Sequence, residues 1–116
     1  MKTKMKFLVN GLIIIAFLVG NIYNLNAQTY KQIYQKGLVK EKGEGALQEA
    51  IGLYYQVVDN SNADNSLRAK ALLHIGGCYE KMGKQEATKA YQRLVNNFPG
   101  QQNEVAIARK RLSELL

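Results

Sequence analysis

Two helical-looking stretches of this chain carry an alanine followed four residues later by a tyrosine, Ala50–Tyr54 and Ala87–Tyr91, at an offset of 37 residues. Each alanine closely follows a glycine, Gly45 by five residues and Gly83 by four. A period of this length belongs to stacked helical hairpins, in which each unit buries its apolar face against its neighbour. This recurrence restricts the fold more tightly than any other feature of the sequence.

The rest of the apolar pattern agrees with it. From Thr29 onward, apolar residues return at helical intervals. Tyr30, Ile33, Tyr34 and Leu38 make a first stripe, opened by Thr29 and Gln32 in the spacing of a capping box. Leu47, Ala50, Ile51, Tyr54, Val57 and Val58 make a second. Leu72, Ile75, Gly76 and Tyr79 make a third that ends at Gly83, a residue suited to a helix C-cap. Ala87, Ala90, Tyr91, Leu94 and Val95 make a fourth, stopped by Pro99-Gly100, and Val105, Ala108, Leu112 and Leu115 a fifth. No stretch alternates with period two over a useful length, so the pattern predicts five helices and no strands. Asp59 to Ser66 is polar and Asn-rich, and reads as a surface loop ending in a helix N-cap.

The segment Ala71 to Pro99, ALLHIGGCYEKMGKQEATKAYQRLVNNFP, resembles a tetratricopeptide repeat. Leu72, Ile75-Gly76, Tyr79, Gly83, Ala87, Tyr91 and Pro99 occupy that family's places, with one residue missing between Gly83 and Ala87. Small residues at Gly76 and Ala87 let two antiparallel helices approach closely, Tyr79 and Tyr91 are expected to fill the space between hairpins, and Pro99 ends the second helix. The first repeat departs from the pattern in its first helix, where Lys36 precedes Gly37 and Lys40 stands in place of Tyr. The fifth helix resembles the start of a third repeat, with Arg109 where the family has Gly, and reads as a capping helix. The implied fold is all-α: two antiparallel helical hairpins plus a C-terminal capping helix, over residues 28–116.

Residues 1–27 read differently. Lys2, Lys4 and Lys6 precede an apolar stretch from Phe7 to Val19, and a polar segment then leads to Leu25-Asn26-Ala27. These are the parts of a cleaved secretory signal, with the cut after Ala27. The alternative is an uncleaved inner-membrane anchor, but the uninterrupted apolar run from Gly11 to Gly20 falls short of the about 20 residues a span needs. Without this segment the chain keeps 13 basic and 9 acidic side chains, which is only mildly basic. Export to the periplasm or cell envelope, together with that modest charge, argues against nucleic acid as a partner.

Chemistry is sparse. His74 and Cys78 lie four apart, but a zinc site needs three or four ligands and the chain has no other His or Cys. Cys78 reads as a buried, inert thiol. A lone His without a nucleophile and an orienting carboxylate makes no triad, and Gly43-Glu44-Gly45 lacks the Lys-Ser or Lys-Thr of a phosphate loop. Glu41, Glu44 and Glu49 read as solvated helix-surface charges, and Arg109-Lys110-Arg111 as a solvated basic face. No metal, cofactor or enzymatic activity is expected.

The resemblance implies a binding module whose first helices line a groove for a protein or peptide partner. Carried over residue by residue, it picks Lys70, Leu73, Gly77, Glu80, Lys81, Ala106 and Lys110 as partner-binding positions away from the packing stripe. Lys70, Lys81 and Lys110 favour an acidic partner. Two other functions fit the same sequence: the N-terminal module of a larger exported enzyme of peptidase or propeller type, or a self-associating structural protein that forms a homo-oligomer, since fewer than three repeats are marginally stable alone.

Overall fold

The computed structural model of the protein describes residues 28–116, and the expected signal segment and its alternative as an anchor fall outside them. The described residues form five helices and no strand. Helix α1 covers 28–43, α-helical over 28–38 and widened to a π-turn at Val39–Gly43. It is followed by α2 (Leu47–Val58), α3 (Asn65–Lys81), α4 (Glu86–Asn97) and α5 (Gln102–Leu115). Residue 28 is already helical, so Thr29 lies inside α1 and not at the cap its spacing predicts. The Asn-rich link is shorter than expected, because α3 begins at Asn65 with Asp64 before it. Asn60 turns that link by accepting the Asn62 amide on its side chain (3.1 Å) and the Ala63 amide on its carbonyl (3.1 Å).

The hairpins close through one contact made twice. A Cβ placed on Gly76 of α3 would lie 2.4 Å from Cε1 of Tyr91 in α4, and one on Gly37 of α1 would lie 2.6 Å from Cε1 of Tyr54 in α2. In both hairpins a tyrosine ring lies flat in the space a side chain would have taken. This corrects the expectation for Tyr91, which packs within its own hairpin. Tyr79 instead leans toward Tyr55 on α2, joining one hairpin to the next. It also fixes the register of α1: Gly37 is the counterpart of Gly76, despite the lysine before it.

Around these contacts lies one core. Ala50, Val57, Ala69, Leu72, Ile75, Leu94 and Ala108 are among its fully buried members. Helix α3 is central, packed on α2 and α4 and reaching α5. Each large apolar side chain taken from water there contributes about 1.5–3 kcal/mol. Phe98 adds a ring beneath the Arg68 guanidinium, whose carbon is 4.9 Å from the ring centre.

The two hairpins differ by an insertion. Gly83 ends α3 at φ 67° with the Lys84 amide bonded to the Tyr79 carbonyl (2.9 Å) and the Gly83 amide to that of Glu80 (2.9 Å). That is the Schellman arrangement, which glycine adopts without strain. Gly45 takes the same conformation, φ 66°, after α1. It lies eight residues beyond Gly37, whereas Gly83 lies seven beyond Gly76. The π-turn absorbs the extra residue: the Glu44 amide reaches back to Val39 (3.0 Å) and the Ala46 amide to Lys40 (2.8 Å).

Candidate partner-binding face

Helices α1, α3 and α5 are joined side by side through two carboxylates. Glu41, in the π-turn of α1, is the one charged residue in the buried core among the described residues, with 5 % of its surface exposed. Its Oε1 accepts the Tyr54 hydroxyl (2.8 Å) and lies 2.8 Å from His74 Nδ1 on α3. Its Oε2 lies 3.4 Å from Nζ of both Lys42 and Lys81. Burial alone would raise the Glu41 carboxyl, but the Tyr54 hydroxyl and His74 outweigh it and hold the group below its ordinary value. An ionised carboxylate only accepts hydrogen bonds, so Nδ1 of His74 carries the proton. Burial and then Glu41 push the Tyr54 hydroxyl well above the ordinary phenol range. Tyr34 completes the cluster, its ring centre 5.8 Å from those of Tyr54 and His74.

The second joint repeats the first with a permanent cation. Glu80 accepts the Tyr91 hydroxyl and two bonds from the Arg111 guanidinium of α5, one of them from Nε at 3.1 Å. The Arg111 bond first, then the Tyr91 hydroxyl, hold the Glu80 carboxyl below its ordinary value against the pull of burial. Buried carboxylates need this many partners, because an unpaired charge inside a protein is far costlier than a paired one.

The seven residues picked from the sequence fall on this side of the helices with different freedoms. Lys70, Lys81, Ala106 and Lys110 are exposed, Leu73 is half-buried against the core, and the space where Gly77 would carry a Cβ is open. Lys70 borders a polar depression with Ser66 and Glu104. Glu80 is not free to meet a ligand, because Tyr91 and Arg111 occupy it. Two other expectations are corrected here. Glu41 is internal, not a solvated surface charge like Glu44 and Glu49, which pair with Lys40 at 2.9 and 3.0 Å. The basic triplet divides: Arg109 and Lys110 are exposed, while Arg111 turns inward to Glu80. His74 turns its Nδ1 to Glu41.

Cys78 is fully buried, and burial, with Glu41 adding to it, pushes its thiol up to about 11. A thiol held protonated is a poor nucleophile and a poor ligand. Among the described residues no group of three or more His, Cys, Asp or Glu side chains could hold a metal, and no helix is long and apolar enough to cross a membrane.

Sequence reasoning passed over Glu41, His74, Tyr34, Tyr54 and Arg111 as members of this face. One signal was present: Gly37 and Glu41 are four apart, and so are Gly76 and Glu80, at a common offset of 39.

No curated protein and no solved structure matches the chain significantly. One family model does match, that of the tetratricopeptide repeat, over residues 70–100. That span holds α3, α4, the Gly76–Tyr91 contact and the proline after them. Residues 70–100 are thus similar to a tetratricopeptide repeat, in keeping with the helical hairpin that α3 and α4 form.

Proposed function

We propose that this protein is a non-catalytic interaction module, exported to the periplasm or cell envelope, that holds a segment of a partner protein on the face made by α1, α3 and α5. The observation that carries this reading is the pair of carboxylate joints. They fix three helices side by side and leave between them a surface with half-buried Leu73, an open floor at Gly77 and exposed Lys70, Lys81 and Lys110. Tetratricopeptide repeats suggest protein partners, and this face offers contact chemistry in place of reaction chemistry. Its lysines favour an acidic partner, whose association should slow as salt screens the attraction. Export rests on the pattern of the first 27 residues.

Photo-crosslinking tests the face. A benzophenone side chain at position 73, 77 or 106 should trap a partner in envelope extract, whereas the same group at Gln56 or Lys89, exposed on α2 and α4, should not. Equal trapping from α2 and α4 would move the binding surface off α1, α3 and α5.

A further inference from the structure

Helices α1 and α3 carry the same four-residue register on the same side. Lys31, Tyr34, Leu38 and Lys42 on α1 recur as Lys70, Leu73, Gly77 and Lys81 on α3, each 39 residues later. This is the offset that relates Gly37 to Gly76 and Glu41 to Glu80, so the two quartets stand in equivalent structural places. Steps of three and four residues keep Lys70, Leu73, Gly77 and Lys81 on one face of α3 and Lys31, Tyr34 and Leu38 on one face of α1, while Lys42, in the π-turn, is placed by its approach to Glu41. Within each, lysines stand at both ends and uncharged residues between them. All four lysines are exposed, and Tyr34, Leu38, Leu73 and Gly77 are half-buried.

At one end of the quartets the two helices meet in a cation pair. Nζ of Lys42 and Nζ of Lys81 lie 3.4 Å from the same Glu41 oxygen, while the two lysine side chains remain 61 % and 52 % exposed. The other oxygen of Glu41 is taken by Tyr54 and His74. Two ammonium groups therefore share one buried carboxylate, which leaves a surplus positive charge facing outward across the α1–α3 seam. An ammonium has three donors and neither lysine uses more than one on Glu41. A carboxylate arriving from solvent can bridge the two lysines directly over Glu41. At the other end, Lys31 and Lys70 border separate depressions, Lys31 with Gln28 and Lys36, and Lys70 with Ser66 and Glu104.

Building on the partner-binding reading above, we propose that Lys42 and Lys81 form an anchor for an acidic side chain of a peptide segment, with an apolar side chain of that segment resting on Tyr34, Leu38, Leu73 and Gly77. The occupant is a protein segment in which an apolar residue is flanked by carboxylates. Charge complementarity selects the flanks, and the half-buried strip, open at Gly77, selects the centre. A sulfated or uronic glycan would satisfy the lysines but leave the apolar strip wet.

The test uses the full-chain protein and two fluorescent synthetic peptides, one repeating Glu-Leu-Glu and one with every Glu replaced by Gln, read by anisotropy at low salt. The Glu peptide should bind and the Gln peptide should not. Lys42→Gln with Lys81→Gln should weaken binding about three- to tenfold, the size expected for two exposed ion pairs. Lys42→Arg with Lys81→Arg should retain it, which separates lost charge from lost folding, and Lys84→Gln with Lys89→Gln should leave it unchanged. Binding should also shift the His74 ring resonances, because His74 holds the other oxygen of Glu41. Equal loss from the Lys84 and Lys89 variant, equal binding of the Gln peptide, or capture of a sulfated oligosaccharide in place of the Glu peptide would each overturn the anchor. If neither peptide binds while benzophenone at position 73 still traps a protein, the anchor fails and the interaction module stands. If that trapping fails as well, both fall.

Discussion

A methyl group added at Gly76 would sit 2.4 Å from Cε1 and 2.6 Å from Cζ of Tyr91, a ring only 2 % exposed and tied by its hydroxyl to Glu80. The ring has nowhere to retreat. Gly76→Ala should therefore destabilise the protein by about 1–3 kcal/mol, and Gly76→Leu by more, although alanine is the better helix former by about 1 kcal/mol. Gly37→Ala should cost a similar amount against Tyr54. Gly52, with nothing within 4 Å of its would-be Cβ, gives the contrast: Gly52→Ala should gain up to about 1 kcal/mol. Urea melts of the three variants decide this, and a neutral Gly76→Ala would refute the ring-on-glycine contact. The carboxylates make a second prediction. Both Glu41 and Glu80 have a folded-state pKa below that of an unfolded glutamate, about 4.3. Their contribution is complete above that value and is lost as pH falls through the folded pKa. Melting temperature should drop on acidification below about pH 4, and Glu41→Gln or Glu80→Gln should flatten that limb while lowering stability at neutral pH. An unchanged acid limb in both variants would mean the joints add nothing. None of this was visible in composition. The run Lys-Glu-Lys-Gly-Glu-Gly around Glu41 looks like solvent-facing chain, and the partners that bury Glu41 come from 13 and 33 residues away.

The helices themselves were legible because each carries an apolar stripe. Tyr30, Ile33, Tyr34 and Leu38 all pack against the core, as do the stripes of α2 to α4 and Val105, Ala108 and Leu112 of α5, whereas Leu115, expected in that last stripe, is exposed near the chain's last turn. Their ends were legible where a special conformation demands a special residue, as at Gly83. What periodicity could not convey is the π-turn, since a one-residue insertion in a helix end leaves the preceding stripe unchanged. Nor could it convey Tyr91 lying on Gly76 in place of bridging to the next hairpin, which depends on how far one helix slides along another. The turn gives the element-scale prediction. Deleting Gly43, which is exposed, should restore the spacing of seven between Gly37 and the left-handed glycine and let α1 end as α3 does. The variant should stay folded with helicity retained and a melting temperature equal to or above the parent. Gly83→Ala, by contrast, forces a Cβ into left-handed backbone and should cost about 1–2 kcal/mol. If the deletion unfolds the protein and Gly83→Ala does not, the insertion is part of the fold and the two helix ends are not equivalent.

At the scale of the whole molecule, the joints that hold α1 in place are made by Gly37 and Glu41, and among the described residues Tyr30 and Ile33 are the first that pack on the core. A cut after Ala27 would leave every one of these contacts intact. Extending the apolar run past Gly20 to reach a membrane-spanning length would instead draw Asn21, Asn24 and Asn26 into the bilayer, each a polar amide costly to bury there. If the chain is exported as proposed, its mature form should begin at Gln28 and melt with the cooperativity of the intact chain. Intact-mass measurement of protein recovered from the soluble envelope fraction reads the first part, and a melt of a chain expressed from Gln28 onward reads the second. Recovery only from the membrane, at the mass that includes Met1 to Ala27, would replace the exported module with a tethered one. The partner-binding face would then have to work within a leader's length of the bilayer.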